Sequence, residues 1–304
     1  MAIDYQPAAF ESQGATLRGR LYRANESDDH PAVVMSHGFT ATIPMVIDRY
    51  AEALCEAGFT VLLYDHRNFG SSDGEPRQQA NPWLQAVGYR DAIDYLEASS
   101  LGPSGSIALW GDSLSAGGAL VAAADDRVSA VVAQAPAFGE SAVPDDPDGA
   151  MFLKIKRRLL EGDVLAAPGD AVGPLPVVSA DPRSPSFLPP IQAYRWFVDF
   201  GGRFGTGWQN QATFAVPAEA PPFHAGLAAP QVACPVLLIV GPDDEIKEAD
   251  PAVTRQVYDS LVAPKEWVDT DGGHFGLLYP ESRLFKEAVA AQTDFLHRKL
   301  QRSA

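Results

Sequence analysis

The sequence has no apolar run of about eighteen residues or more, the length that a membrane-spanning helix needs. The N-terminal segment MAIDYQPAAF has neither the basic stretch nor the apolar core of a secretory signal peptide. We therefore expect no membrane partner and a cytoplasmic location.

Cysteine is scarce, since only Cys55 and Cys234 occur. Cys55 falls in a helical pattern and Cys234 just before an apolar strand, so two buried free thiols are favoured over a disulfide. No CxxC or HExxH spacing occurs, so no metal site is predicted. No GxGxxG motif follows a strand either, and we expect no cofactor.

Basic residues are also few, with 23 lysines and arginines against 39 acidic residues and a formal net charge of −16. Such a surface repels nucleic acid and anionic membranes, so we expect neither as a partner. The charge carries no information about the fold or about the oligomeric state.

Short apolar runs alternate with amphipathic helical patterns along most of the chain. The apolar runs are AVVMS from Ala32, TVLLYD from Thr60, SIALWG from Ser106, VSAVVAQAP from Val128, PVLLIVG from Pro235 and KEWVDT from Lys265. The helical patterns cover about 45–57, 83–98, 114–125, 251–262 and 280–300. Continuous apolar strands separated by helices predict an α/β fold with a mostly parallel sheet covered on both faces.

Two segments depart from this alternation. The stretch from Phe10 to Ala24 alternates apolar and polar residues around Gly14, as an antiparallel hairpin does. The interval between Pro136 and Pro230 shows no strand-like run and is too long for a loop. We predict a core at 1–135 and 231–304, with a mainly helical cap inserted at 136–230 over the carboxyl ends of the strands.

The cap is rich in aromatic residues, which could line a substrate pocket or could form the cap's own core. Tyr194, Trp196 and Trp208 are the candidates for substrate contact, and Phe197 and Phe204 lie in the same stretch.

The segment SIALWGDSLSAGG places Ser113 in a sharp turn between a strand and a helix. Such a turn exposes a serine hydroxyl at the top of the sheet and needs small neighbours, because its two flanks nearly touch. Gly111 meets this need, but Ser115 stands where the G-x-S-x-G pattern has its second glycine. Ser113 is the predicted nucleophile, and Ser115 remains an alternative.

A serine nucleophile needs a base, and the base needs an acid that orients it. His274 follows the last strand in DTDGGHF, where the Gly272–Gly273 pair lets the backbone bend back over the sheet. Most other histidines, His66 among them, have ordinary surface or loop explanations. The run PVLLIVGPDDEI ends a strand with Asp243 and Asp244, and Asp244 is preferred as the acid.

An oxyanion hole needs two backbone N–H groups aimed at the developing negative charge. Leu114 would supply one at the start of a helix, where the helix dipole also helps. Phe39 would supply the other, after the bend that His37 and Gly38 make in MSHGFTAT.

These pieces together resemble the α/β-hydrolase superfamily. The matching segments are SHGFTAT, YDHRNFGSSDGEPR, NPWLQAVGYRDAIDYL, LWGDSLSAGG, VGPDDEI and GGHF. The middle segments are similar to a cap-bearing branch that holds dienelactone-hydrolase-like enzymes, polyketide transferases and thioesterases. The resemblance implies the triad of Ser113, Asp244 and His274 and an oxyanion hole at Phe39 and Leu114. It also implies a structural turn formed by Asp65, Arg67, Gly70 and Ser72.

The function expected from these residues is hydrolysis of a carboxylic ester or thioester of a small acyl substrate, through an acyl-enzyme. Acyl or polyketide transfer would use the same triad. A non-catalytic binding protein on the same scaffold is the alternative from another class. A haloalkane dehalogenase would need a carboxylate in place of Ser113.

Overall fold

The structure is a computed structural model that describes residues 3–24, 30–101, 106–161, 168–217 and 223–300. Within these ranges the strands are β1 (Gln6–Ser12), β2 (Ala15–Tyr22), β3 (Ala32–Ser36), β4 (Thr60–Tyr64), β5 (Gln79–Ala80), β6 (Ile107–Asp112), β7 (Val128–Gln134), β8 (Pro168–Leu175), β9 (Ala212–Pro217), β10 (Val236–Val240) and β11 (Lys265–Asp269). The α-helices are α1 (Ile47–Glu56), α2 (Pro82–Ala98), α3 (Leu114–Ala122), α4 (Ala150–Glu161), α5 (Ile191–Trp196), α6 (Ala225–Ala228), α7 (Pro251–Ser260) and α8 (Arg283–Leu300). A π-helix covers Phe197–Gly201, and 3-10 turns cover Ala229–Gln231 and His274–Leu278.

Eight strands form the central sheet in the order β1-β2-β4-β3-β6-β7-β10-β11. β1 pairs antiparallel with β2, and β2 with β4, whereas the pairs from β4 to β11 are parallel. The predicted hairpin is confirmed, and both residues of its two-residue turn, Gln13 and Gly14, have positive φ (50° and 72°). The parallel strands are confirmed as well.

Alternate residues of each central strand face opposite layers of the molecule. Val33 and Met35 of β3 pack in the hydrophobic cluster that contains α1 and α8, and Val34 packs in the cluster of α2, α3 and α7. Both faces of the sheet are therefore covered, which explains why the strands are continuously apolar in sequence. Within the described residues, no helix is long and apolar enough to cross a membrane. Cys55 and Cys234 are buried free thiols, as predicted.

The interval between β7 and β10 is not free of strands, and that expectation was wrong. β8 and β9 pair antiparallel, and β9 pairs in parallel with the two-residue β5, so that a second, three-stranded sheet forms. β8 escapes detection because its sequence PGDAVGPL combines glycine and proline with side chains from Ala171 to Pro174 that are exposed. Successive exposed side chains give a strand no hydrophobic period. The boundaries of core and cap remain a prediction.

Candidate active site

Ser113 lies in a strained turn between β6 and α3, with φ of 57° and ψ of −120°. This conformation costs a non-glycine residue on the order of 1–3 kcal/mol, which the surrounding packing offsets. The turn is tight because a Cβ on Gly111 would overlap the backbone carbonyl of Ser115. The Ser113 side chain does not cap α3, so its hydroxyl is left for another partner.

His274 and Asp244 lie in direct contact. His274 Nδ1 is 2.8 Å from Asp244 Oδ2, and the backbone N–H of Ile246 donates to Asp244 Oδ1 at 2.8 Å. The two side chains are 4% and 2% exposed. Because Asp244 occupies Nδ1, the other ring nitrogen of His274, Nε2, is the one available to substrate. Asp243, the preceding residue of the same turn, is exposed.

Glu245 holds the backbone of the histidine loop. Its Oε2 accepts from the N–H of His274 at 2.9 Å, and its Oε1 accepts from the N–H of Phe275 at 3.4 Å. Glu245 thereby caps the 3-10 turn that carries the imidazole. Sequence reasoning assigned no role to this residue, although it directly follows Asp244.

Two opposing effects act on the imidazole of His274. Burial lowers its pKa, but the hydrogen bond and the charge of Asp244 raise it more, so the pKa lies above the usual value. The charges of Asp112 and Glu245 act in the same direction as Asp244.

Asp112 is a second buried carboxyl, next to Ser113, and no local pattern in the sequence marks it. Burial raises its pKa to about 6, against the smaller opposing effects of His274 and Gln134. Its Oδ1 accepts from Gln134 Nε2 at 2.9 Å. Gln292 Nε2 donates to Gln134 Oε1 at 2.7 Å, and Trp110 Nε1 donates to Gln292 Oε1 at 3.0 Å. This buried chain of donors fixes the orientation of the Asp112 carboxyl.

The two predicted oxyanion-hole residues border a cavity at Ser113. Phe39 and Leu114 line it together with Ser113. Within the described residues no hydrogen bond engages the backbone N–H of Phe39 or of Leu114. Gly38 lets the turn come close, because a Cβ there would lie 2.9 Å from Ser113 Cβ. Two free amides beside a nucleophile are what an oxyanion hole requires.

Ser113 borders two cavities, which also share Phe39 and Leu188 in their walls. A small one of about 20 Å³ contains His274, Asp112 and the rings of Trp196 and Phe197 in its walls. A larger one of about 90 Å³ is bounded by Phe39, Leu188 and the rings of Phe187 and Phe214. Phe187 and Phe214 also line a wide depression of about 520 Å³. The larger cavity and the depression therefore share an aromatic wall.

The aromatic residues of the interval predicted to form a cap differ in what they contact. Trp196 lines the small cavity, but it is buried and its Nε1 donates to the Leu278 carbonyl at 2.9 Å. Trp208 and Tyr194 pack against the core and are not among the lining residues of the two cavities at Ser113. Phe204 is fully exposed. Phe187 and Phe214, which the aromatic count did not single out, line the larger cavity together with Ser113.

Ser115, the alternative nucleophile, lines neither of the two cavities at Ser113. It is fully buried, donates its hydroxyl proton to the His37 carbonyl, and lies 2.7 Å from His66 Nε2. The expectation that His66 is an ordinary surface or loop histidine was incomplete, because its ring is fully buried next to the turn between β6 and α3. Within the described residues, no group of three acidic, histidine or cysteine side chains could hold a metal ion.

The residues of the predicted structural turn fold around Asp65. Asp65 Oδ2 accepts from the backbone N–H and the hydroxyl of Ser71 at 2.9 and 3.0 Å, and Ser72 Oγ donates to the Asp65 carbonyl at 2.5 Å. Asp65 Oδ1 accepts from the N–H of Ile43 at 2.9 Å. This turn therefore supports the loop that follows Phe39.

An eight-stranded, mainly parallel sheet with a serine at a strained strand-to-helix turn defines an α/β hydrolase. The family model described as "alpha/beta hydrolase fold" matches residues 31–280, and the chain belongs to this family. The resemblance drawn from the motifs is confirmed.

The chain is similar to proteins named as thiohydrolases and polyketide transferases, and to solved α/β-hydrolase structures. The thiohydrolase apmlB of Arthrinium phaeospermum is 30% identical over 296 residues, which cover 93% of each chain. The polyketide transferase af380 of Aspergillus fumigatus is 29% identical over 294 residues, covering 94% of this chain and 95% of the relative. The crystal structure of the α/β hydrolase GrgF from Penicillium sp. sh18 is 26% identical with a TM-score of 0.74, and the match covers 98% of this chain and 99% of that one.

Proposed function

We propose that the protein is a serine hydrolase that cleaves a carboxylic thioester or ester through an acyl-enzyme on Ser113. The observation that carries the proposal is the buried hydrogen bond between His274 and Asp244 beside a serine in strained elbow geometry. The relatives named as thiohydrolases support the choice of a thioester.

The reaction follows from the arrangement of these groups. The Ser113 hydroxyl attacks the acyl carbon while His274 Nε2 takes its proton, and Asp244 stabilises the imidazolium. The carbonyl oxygen becomes an oxyanion that the N–H groups of Phe39 and Leu114 receive. The intermediate expels the thiol or alcohol, which takes the proton from His274. Water then attacks the acyl-enzyme with His274 again as base, and the carboxylic acid leaves.

The acyl chain is assigned to the larger cavity. Phe39, Phe187 and Phe214 form its aromatic wall, and the two rings of Phe39 and Phe187 contact each other edge to face at 5.2 Å between centroids. Aromatic and aliphatic walls with few polar groups suit an apolar or aromatic acyl group. This assignment moves the acyl site away from Trp196, Trp208 and Tyr194.

A fluorophosphonate tests the nucleophile, because it phosphonylates an activated serine with loss of fluoride. We expect one label on Ser113, found by peptide mass spectrometry, and none on the Ser113→Ala variant. Ser113→Ala should lose nearly all turnover of an N-acetylcysteamine thioester and keep its thermal unfolding transition. A label on Ser115 would exchange the assignments, and an unlabelled, inactive wild type would support a binding protein.

Acyl transfer is the second candidate, because one group of relatives is named as polyketide transferases. It differs only in the acceptor, which replaces water in the second step. Turnover in the presence of graded alcohols and amines distinguishes the two reactions. Hydrolysis predicts the free acid as the main product, whereas transfer predicts a new ester or amide at low acceptor concentration.

A further inference from the structure

A buried cluster of three polar residues lies directly beneath the nucleophile turn, and the hydrolytic mechanism does not use it. Ser115, His66 and His37 are all fully buried. The cluster links the turn of Ser113 to the turn that carries Phe39, because Ser115 lies in α3 and donates to the backbone carbonyl of His37. A polar cluster in such a dry place is costly unless its donors and acceptors match.

The protons of the cluster can be placed from its contacts. Ser115 gives its own proton to the His37 carbonyl, so its oxygen accepts from His66 Nε2–H at 2.7 Å. His66 Nδ1 has no hydrogen-bond partner within the described residues, which fits a neutral ring protonated on Nε2. Burial lowers the pKa of His66 well below its usual value and thus keeps the ring neutral.

The proton of the His37 ring can be placed in the same way. Its Nε2 accepts from the backbone N–H of His66 at 3.3 Å, so the ring proton lies on Nδ1 and is donated to the Gly38 carbonyl at 2.9 Å. The opposite tautomer would give Nε2–H to Asp65 Oδ1 at 3.5 Å. It would also turn the Nδ1 lone pair toward the Gly38 carbonyl oxygen, and the shorter contact therefore decides against it.

The Gly38 carbonyl controls where the next amide points. The C=O and the following N–H of a trans peptide point in opposite directions, so fixing the Gly38 carbonyl fixes the Phe39 N–H. The N–H of Ala41 also donates to this carbonyl, at 3.3 Å. Gly38 lies so close to the nucleophile turn that a side chain in its place would press on Ser113 Cβ. The free Phe39 amide thus borders the reacting atoms.

We propose that Ser115, His66 and His37 form a positioning relay that holds the Phe39 N–H at the oxyanion hole. The proposal rests on the serine-hydrolase function above and adds residues that never touch substrate. The serine hydroxyl supplies a link to the His37 carbonyl that the usual glycine at this place of the motif has no side chain to make.

The test compares Ser115→Ala and Ser115→Gly with a matched control, Ser36→Ala. Ser36 is also a fully buried serine that donates to a backbone carbonyl, that of Tyr64 at 3.0 Å, but it does not belong to the relay. Because glycine is the usual residue at position 115 of the motif, Ser115→Gly keeps a folded variant available. All proteins are assayed for kcat, KM, the rate of fluorophosphonate labelling and the unfolding temperature.

Loss of one oxyanion-hole donor costs about 100- to 1000-fold in kcat, so its misplacement should cost about 10- to 100-fold. We expect this loss in both Ser115 variants, with KM within about twofold and a parallel fall in the labelling rate. Ser36→Ala should keep the wild-type kcat, even if its unfolding temperature falls as far as that of the Ser115 variants. The fluorophosphonate oxygen also occupies the oxyanion hole, so a misplaced Phe39 N–H should slow labelling. A substitution that only lowers stability should leave the labelling rate of the folded protein unchanged.

Two kinetic outcomes overturn the proposal, and they can be told apart. Wild-type kcat and labelling rate in folded Ser115→Ala and Ser115→Gly would refute the relay and leave the hydrolase function intact. An absence of labelling and turnover in the wild type would refute both. Nitrogen-15 NMR of the imidazoles gives a check independent of activity, and it is made on Ser113→Ala. Neutral rings with Nε2–H at His66 and Nδ1–H at His37 support the relay, and any other tautomer pair contradicts it.

Discussion

His274 Nδ1 and Asp244 Oδ2 are 2.8 Å apart, and both side chains are almost fully shielded from solvent. The low local polarity strengthens this hydrogen bond. The bond holds the ring proton on Nδ1 and so leaves Nε2 unprotonated. The same bond raises the pKa of His274, since it favours the charged ring.

Activity should rise with pH through a midpoint above about 6.5, the ordinary pKa of histidine, because only the neutral ring accepts the serine proton. Asp112→Asn removes one of the negative charges that raise this pKa, so its profile should shift toward lower pH. The profile of kcat/KM against pH for both proteins checks this. A midpoint that stays in place would exclude an electrostatic influence of Asp112 on the base.

Asp244→Asn should lower kcat by about ten thousand-fold, because the amide would favour the wrong tautomer of His274. Asp243→Asn is the matched control on the same turn, and its exposed side chain should tolerate the change within about twofold. Steady-state kinetics on one thioester decides between them. Equal losses in the two variants, or a larger loss in Asp243→Asn, would reassign the acid.

Asp112 should make the protein less stable as the pH rises from about 4 to 6. Its pKa is about 6 in the folded protein and about 3.9 in an unfolded chain, so the folded state binds more protons in this interval. Stability is therefore lost as the carboxyl ionises in the folded state. Asp112→Asn, which can keep the Gln134 contact, should gain up to about 3 kcal/mol relative to wild type at pH 8 and little at pH 4. Thermal unfolding of both proteins at these two pH values measures the difference, and an equal gain at both would disprove the ionisation argument.

The acyl preference should depend on Phe187 and Phe214, which line the cavity beside Ser113. The specificity constant of the wild type should rise about fourfold per added methylene until the cavity is full, at about 0.8 kcal/mol each. Phe187→Ala and Phe214→Ala should change the chain length at which this rise stops. A series of acyl thioesters of graded length provides the measurement.

Trp208→Ala is the control for this series. Trp208 packs on Phe197 at 5.2 Å between ring centroids and its Nε1 lies 3.4 Å from Thr40 Oγ1, so the variant should lower the unfolding temperature and keep the chain-length preference. Trp196→Ala should destabilise more strongly, since its ring is buried among Phe197, Phe200 and Phe275. If the chain-length preference changed in Trp208→Ala and in neither phenylalanine variant, the acyl site would lie at the aromatic candidates from the sequence, Tyr194, Trp196 and Trp208.

The sequence predicts best what a local pattern encodes. The central strands are continuous apolar runs, and Gly111 and Gly38 mark the close approaches on which the site depends. Contacts between distant segments leave no such pattern. His66 and Ser115 are 49 positions apart, and nothing in either neighbourhood announces that they meet. In the same way, aromatic content locates a packed region in the cap but does not say that Phe187 rather than Tyr194 faces the cavity.

The short pairing between β5 and β9 ties the inserted segment to the rest of the chain by its backbone. Gln79 and Ala80 lie next to Thr213 and Phe214, and the N–H of Thr213 also donates to the Gln78 carbonyl at 2.9 Å. A segment paired in this way cannot be exchanged independently. A graft that ends at the β7 and β10 boundaries would separate β9 from its neighbour β5. A graft of the interval between β7 and β10 therefore also needs to include residues 78–80.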